Sequence, residues 1–328
     1  MVAADERTER TERTERIEVT GELAGARLDR LIAQQLGGVS RARAKALFLA
    51  QAVTVVDGEG RRRRVAKGER AVAGTVLEVR LPAAVDRAAA VADPEAAAGL
   101  LTVLAESDHW VAVDKPAGIP SAPLTAGERG TMANALVARY PEMRDVGYGP
   151  REPGLVHRLD TGTSGVLVAA RSTVAFAAVT AALKAGAVDK RYLLVCSGAS
   201  IAAAGEITLP LAADPKNRRR VRACRDEREV KRLHGRAATT RYQVLRRVGE
   251  LALVEAHAPR AQRHQIRAHL AALGAPLIGD TLYGGAPWAG HQRHALHASA
   301  FRWDGAAGVA ALDVTAPLPA DLAELLEG

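Results

Sequence analysis

Apolar positions along this chain fall into runs whose spacing changes from segment to segment, and the spacing sets the expected elements. Leu28, Leu31, Ile32 and Leu36 recur on one helical face, so an amphipathic helix should open near Arg27. Ser40 is placed to N-cap a second helix over residues 41–51, its hydroxyl accepting from N–H groups of the first turn. Residues 53–56 and 76–79 read as short strands, the first running into an Asp57-Gly58 turn. Farther on, residues 110–113, 190–195, 239–245 and 251–255 predict strands, and residues 297–301 another. Residues 166–170 are apolar at every position, the pattern of a strand buried on both faces. Helices are expected over 131–140, over 176–183 with a break at Gly186, and as a capped terminal helix over 321–326.

The same pattern divides the chain. Residues 5–16 are a Glu-Arg-Thr triplet repeat with no apolar face to bury, so residues 1–17 are expected to be a disordered charged tail. A compact unit should span 18–82, an Ala-rich linker 83–99, and a larger domain 100–328. Charge then narrows the partners. The 45 Lys and Arg outweigh the 37 Asp and Glu, which favours a polyanion. Aromatic residues make up only 3%, too few for a broad platform of stacked bases. Two cysteines cannot build a disulfide framework or a thiolate zinc site. With no signal peptide and no apolar run of spanning length, no membrane partner is expected, and a reducing cytoplasmic setting fits.

Reactive side chains concentrate in two segments. His157-Arg158-Leu159-Asp160 leads through Thr161-Gly162-Thr163-Ser164-Gly165 into the buried strand, placing a carboxylate at a tight turn. Such an acid is either a structural cap for nearby N–H groups or a reactive group. The second segment, residues 259–285, puts Ile266, Leu270 and Leu273 on one helical face and leaves His264 and Arg267 on another side. His264 and His269 stand five apart, unlike an i,i+4 zinc pair, so no metal site is expected. His291, His294 and His297 recur every three residues but lie so close to a strand that packing explains them better than ligation. Asp114-Lys115-Pro116-Ala117-Gly118 forces a turn directly after a strand, where Lys115 either serves the site or pairs with a nearby acid. Residues 216–236 are the densest basic stretch, either a solvated hairpin or a wall tracking a nucleic-acid backbone. Arg41, Arg43 and Lys45 crowd the first half of their helix, where cations oppose the helix dipole and phosphate contact would explain them.

The HRLD-x-x-TSG string, with all seven fixed positions present from His157 to Gly165, resembles the signature of the RluA-type pseudouridine synthases. The Asp-Lys-Pro-Ala-Gly string, Tyr192 in a K-x-Y-like place, HQIRAH from His264 to His269, GD-x-x-YG at Gly279 to Gly284 and the Leu296-His297-Ala298 triplet follow in that family's order. Arg260, Ala261 and Gln262 depart from it, standing where Thr, Gly and Arg are usual. Residues 18–82 more loosely resemble the ribosomal-protein S-four-type RNA-binding module, with Arg61–Arg64 where that module has a surface hairpin.

The resemblance implies an α+β fold, a mixed and mostly antiparallel central sheet flanked by helices, with a small α/β amino-terminal RNA-binding domain. It implies isomerisation of uridine to pseudouridine in structured RNA, ribosomal before transfer RNA, by a monomer needing no cofactor. Asp160 would be the nucleophilic aspartate, either attacking the sugar or assisting glycosidic cleavage, Arg267 its ion-pair partner, and Tyr192 the ring against the target uracil and a group for the final proton transfer. Arg158, His157, Lys115, Pro116, His264 and Gln265 would serve the substrate, and Arg41, Arg43 and Lys45 the RNA backbone. Two other readings stay open: a binding-only RNA or ribosome-assembly protein, and a metal-dependent hydrolase using the histidines.

Overall fold

The computed structural model describes residues 13–36, 41–66, 68–81, 89–198, 201–288, 293–306 and 308–327, without the side chains of 13, 41–43 and 46. Ser40, His291 and the side chains of Arg41 and Arg43 therefore lie outside the described residues.

The amino-terminal unit holds β1 (Arg13–Glu18), α1 (Leu28–Gln35), α2 (Arg41–Leu49), β2 (Val53–Val56), β3 (Arg62–Arg64) and β4 (Val76–Leu81). Its sheet runs β1-β4-β2-β3, and Leu28, Leu31 and Ile32 pack against Val53, Leu77 and Val79 as the alternation and helical spacing require. Residues 13–17 correct the tail reading. They pair antiparallel with β4, Ile17 opposite Leu77. An edge strand draws its order from the backbone ladder, so the triplet repeat needs only Ile17 and Val19 buried to be held. The arginine run forms β3 and is partly neutralised, Arg62 by Glu78 at 3.2 Å and Arg63 by Glu69 at 2.7 Å.

Residues 89–99, expected as linker, are also ordered. Ala90 is buried in the larger core, and α3 (Pro94–Leu100) opens on Asp93, whose carboxylate accepts from Ala96 N at 3.1 Å and from Gly130 N at 3.2 Å. An Ala-rich helix with a capping Asp and Pro in its first turn needs no large apolar face, only a neighbour to lean on. That neighbour is α4 (Met132–Arg139), opened by a Thr131–Asn134 capping box.

The central sheet takes β5 (Thr102–Glu106), β6 (Trp110–Lys115), β7 (Ser164–Ala170), β8 (Asp189–Ser197), β9 (Ala204–Ile207), β12 (Thr240–Val248), β13 (Leu251–His257), β14 (Leu296–Trp303) and β15 (Leu312–Thr315). These nine strands run β5-β6-β7-β14-β8-β13-β12-β9, with β15 on β14. Every pairing is antiparallel except β7 with β14. A separate hairpin, β10 (Leu211–Ala213) and β11 (Val221–Ala223), is followed by α6 (Glu227–Leu233). The remaining helices are α5 (Thr173–Ala185), ended by Gly186 in the left-handed region, α7 (Gln265–Ala272) and α8 (Ala320–Glu324).

Strand β7 is buried at all seven positions. Leu167 and Ala169 face one core with Leu136, Leu194 and Leu270, while Val166 and Val168 face another with Val179, Phe301 and Leu312. Its unbroken apolar run is thus the mark of a strand covered twice. Only glycine suits position 165, where φ is +109° and a Cβ would overlap the Ala298 carbonyl of β14. Two helices differ from expectation. The residues of α7 from Gln265 to Leu270 are buried all round, whereas Leu273 lies past the helix end and is 43% exposed. The polar face is buried because its side chains are satisfied there by protein partners. Helix α8 has Pro319 at its N-cap with no side-chain cap, and its Asp321 points elsewhere, to Arg293.

Candidate active site

Asp160 stands on the turn before β7, and its neighbours are anchored from distant parts of the chain. Ser121 Oγ donates to the Leu159 carbonyl at 2.9 Å and accepts from Leu159 N at 3.1 Å. Lys115 Nζ donates to the Thr161 carbonyl at 3.2 Å, and Arg293 Nη1 to the Gly162 carbonyl at 3.2 Å. Thr163 Oγ1 bonds His294 Nε2 at 2.8 Å, and Ser164 Oγ bonds His297 Nδ1 at 2.9 Å. Gly162 also lets the His294 ring approach, since a Cβ there would meet that ring. A turn fixed at so many consecutive residues can present its one remaining side chain in a single orientation.

That side chain meets α7. Arg267 Nη1 donates to Asp160 Oδ2 at 2.9 Å, while Nε and Nη2 hold Asp280 Oδ2 and Oδ1 at 2.7 and 2.8 Å. The bidentate pair fixes the guanidinium plane and therefore the direction of the third bond. Burial opposes charge on Arg267, but the Asp280 hydrogen bonds and the two carboxylate charges outweigh it, so its pKa rises and it stays a cation. His264 Nε2 lies 3.6 Å from the same Asp160 oxygen, and its Nδ1 bonds Tyr283 OH at 3.0 Å. Burial lowers the His264 pKa despite the Asp160 charge. Both groups converge on Oδ2. Oδ1 accepts no hydrogen bond among the described residues, and the Asp160 side chain is 25% exposed, so one carboxylate oxygen remains available to a ligand.

Tyr192 joins through the sheet. Gly165 of β7 pairs with Ala298 of β14, and Ala298 pairs with Tyr192 of β8, so the ring lies two strands, roughly 10 Å, from the turn. It is buried, and both burial and the Asp160 charge raise the pKa of its hydroxyl, which stays protonated at neutral pH.

Other residues expected at the site are placed differently. His157 turns into the core, its Nε2 accepting from Val168 N at 3.0 Å and its ring stacked on Phe301. Burial, helped by Lys190, lowers its pKa to about 3, as suits an imidazole that must accept. Arg158 is exposed and paired with Glu152 at 2.8 Å. Gln265 braces the start of α7, donating to Thr239 O at 2.9 Å and Thr240 Oγ1 at 3.0 Å. Lys115 is fully buried and holds no acid. Its Nζ donates to the Pro116, Ile119 and Thr161 carbonyls, so the turn of Pro116 is tied to the turn of Asp160. Three acceptors match an ammonium's three N–H bonds, while burial pulls its pKa down to about 7. Lys45 is exposed on α2.

The departures before His264 are accommodated. Ala261 does not need the left-handed backbone, which is taken by His264 at φ 54°. Gln262 Nε2 donates to Ala237 O at 2.7 Å, Arg260 to Ala185 O at 2.8 Å, and Arg263 to Arg219 O at 2.7 Å. Asp280 and Tyr283 were visible only as a motif. Their work, clamping Arg267 and orienting His264, becomes apparent when the buried polar atoms are paired.

His269, His294 and His297 are each occupied by hydrogen bonds. His269 bonds Thr240 Oγ1 and Leu209 O, each at 2.9 Å, and no cluster among the described residues could hold a metal ion. His294 gives a pH test. Burial, then the Arg267 charge, lowers its pKa to about 4. An unfolded histidine titrates at about 6.5, so between these values the unfolded chain binds the extra proton and stability rises with pH. This support is complete above about pH 6.5 and is lost toward pH 4, at up to about 1.4 kcal/mol per pH unit. The melting temperature should fall through that window. His294→Gln, which can still bond Thr163 but does not titrate there, should show a shallower fall; parallel curves would refute the assignment.

A cavity of about 710 Å³ lined by Asp189, Arg191, Glu255 and His257 is separate from this cluster. Strand alternation puts Asp189 and Arg191 on the face opposite Tyr192.

A family profile described as RNA pseudouridylate synthase matches residues 109–272, the span that contains Asp160, Tyr192 and Arg267. The ribosomal large subunit pseudouridine synthase D of Xanthomonas campestris is 33% identical over 323 residues, covering 94% of this chain and 90% of that protein. The chain belongs to the RNA pseudouridylate synthase family. A Mycobacterium bovis protein named as an RNA pseudouridine synthase is also similar to this synthase, 33% identical over 93% of this chain and 94% of that one. In fold, the synthase resembles human RNA pseudouridylate synthase domain containing 1, with a TM-score of 0.52, 22% identity, and coverage of 66% of this chain and 83% of that one. It is accordingly an isomerase acting on RNA, and no helix among the described residues is long and apolar enough to cross a membrane.

Proposed function

We propose that this synthase isomerises uridines of large-subunit ribosomal RNA, with Asp160 as its catalytic carboxylate. The observation that carries the reading is the Asp160–Arg267 contact at 2.9 Å, locked by Asp280 and leaving one carboxylate oxygen uncommitted. Pseudouridine formation breaks C1′–N1, turns the uracil and joins C5 to C1′, with the C5 hydrogen released and replaced at N1. Atoms and electrons are conserved, so no oxidant is required. Asp160 Oδ1 supplies negative charge at C1′ as the glycosidic bond breaks, and fixed charge is most effective where it needs no reorganisation. Tyr192 packs against the base and takes part in the final transfer of the C5 proton. A uracil inside a duplex cannot reach a carboxylate, so the target is flipped out, which favours loops and frayed helices.

Ribosomal RNA is favoured by the names of relatives similar over most of their length, including the ribosomal large subunit pseudouridine synthase D of Xanthomonas campestris and that of Zymomonas mobilis. Charge agrees. Arg218, Arg219, Arg225, Arg228 and Arg236 are exposed with no acidic partner among the described residues, on the hairpin and helix that lead to Tyr283. Such a surface suits a phosphate backbone and predicts salt-sensitive binding. Arg158, weakly held by Glu152, is free to exchange that partner for RNA at low cost. Residues 18–82, with Lys45, Arg41 and Arg43, add backbone contacts as an S-four-type module, and the enzyme works as a cytoplasmic monomer.

Tritium release from [5-³H]uridine-labelled RNA tests this directly. Large-subunit ribosomal RNA should release tritium in proportion to its target sites, and transfer RNA should not. Release from transfer RNA alone would reassign the substrate. Binding without release from either would support an RNA-binding protein.

A further inference from the structure

The turn bearing Asp160 is tied to the last helix of the chain through a residue that touches neither Asp160 nor its partners. Arg293 Nε and Nη2 donate to Asp321 Oδ2 and Oδ1 at 2.7 and 2.9 Å. Its third nitrogen, Nη1, donates to the Leu296 carbonyl at 3.0 Å and to the Gly162 carbonyl at 3.2 Å, two residues beyond Asp160. The guanidinium is a rigid fork, so the carboxylate that fixes two nitrogens also aims the third. Arg293 is mostly buried at 11% side-chain exposure, whereas Asp321 is 45% exposed. Leu322, Leu325 and Leu326 seat this end of the chain in a core with Val195 and Ile278 independently of Asp321. The preceding carbonyl, that of Thr161, is held by buried Lys115. Two cations thus grip consecutive carbonyls, and the Asp321 charge offsets their mutual repulsion.

We infer that Arg293 and Asp321 are positioning residues, through which α8 fixes the direction of the Asp160 turn. The inference rests on the proposed role of Asp160. It requires an effect on turnover larger than any effect on RNA affinity, because neither residue contacts the ligand-facing oxygen. Displacement of a reacting group by about 1 Å is enough to cost on the order of 100-fold in rate. A partly loosened turn should cost about 10-fold.

The full-length enzyme should be compared with Asp321→Ala, Asp321→Glu and Arg293→Lys. Asp321→Ala is expected to lower kcat about 10-fold with KM for RNA within about twofold, while the melting temperature falls modestly because mostly buried Arg293 loses its counter-ion. Asp321→Glu should recover most of the loss, and Arg293→Lys, which lacks the fork, should not. Amide hydrogen exchange over residues 158–165 should accelerate in Asp321→Ala and Arg293→Lys but not in Asp321→Glu. Unchanged kcat and exchange in Asp321→Ala would overturn the inference. So would a kcat loss that follows melting temperature, with exchange rising across the whole domain. If the wild type releases no tritium from any RNA, the functional reading fails, and the local exchange pattern alone decides whether the clamp holds the turn.

Discussion

Asp160→Asn is expected to lower turnover at least ~10⁴-fold, the scale of losing a group that acts directly at the reacting bond. The substitution keeps the shape of the side chain, and its amide oxygen can still accept from Arg267 Nη1. What disappears is the charge facing C1′. The fold should survive, because Arg267 retains its two bonds to Asp280 and so keeps a counter-ion. Stability should change little, because that hydrogen bond is kept and only the charge of a partly exposed acceptor is lost. RNA affinity should hold or increase slightly, since a carboxylate near phosphates is removed. Tritium release, filter binding and thermal melting on one preparation separate these effects. Activity within tenfold of wild type would remove Asp160 from the chemistry.

Arg267→Met should produce the next largest change, and it should act on stability as well as rate. Asp280 is almost wholly buried and both its oxygens accept from Arg267. Removing the cation leaves an uncompensated buried carboxylate, a loss of about 3–5 kcal/mol. Turnover should fall roughly 10²- to 10³-fold as the group that aims Asp160 is lost. The double variant Arg267→Met/Asp280→Leu distinguishes the two consequences. Apolar replacement of both partners of a buried pair is often neutral, so stability should largely return. Activity should not, because nothing then fixes Asp160. Recovery of both would mean that the pair serves the fold alone.

Much of this architecture could be read from residue order. Periods of two and of about three and a half marked most of the elements, since each depends on which side of its own backbone is apolar. The seven-position string ending at Gly165 singled out Asp160, and HQIRAH singled out Arg267. The tail and linker were misread for one shared reason. Neither residues 14–18 nor residues 89–100 bury much side chain, and their order comes from a ladder with β4 and from packing beside α4.

Only the tertiary structure decided the partners of the polar groups. Nothing local tells that His157 turns inward to accept from Val168 while Asp160, three residues later, turns outward to Arg267. Nor does sequence show that Lys115 holds three carbonyls, or that Arg293 joins Gly162 to Asp321. The chain by itself determined most of the helix and strand segments that carry side chains into the core and which carboxylate to suspect, because those follow from short-range periodicity and motif order. Which side chains hold that carboxylate, and from how far along the chain, was settled by folding, since a buried polar atom must be satisfied by whatever the completed fold brings within hydrogen-bonding distance.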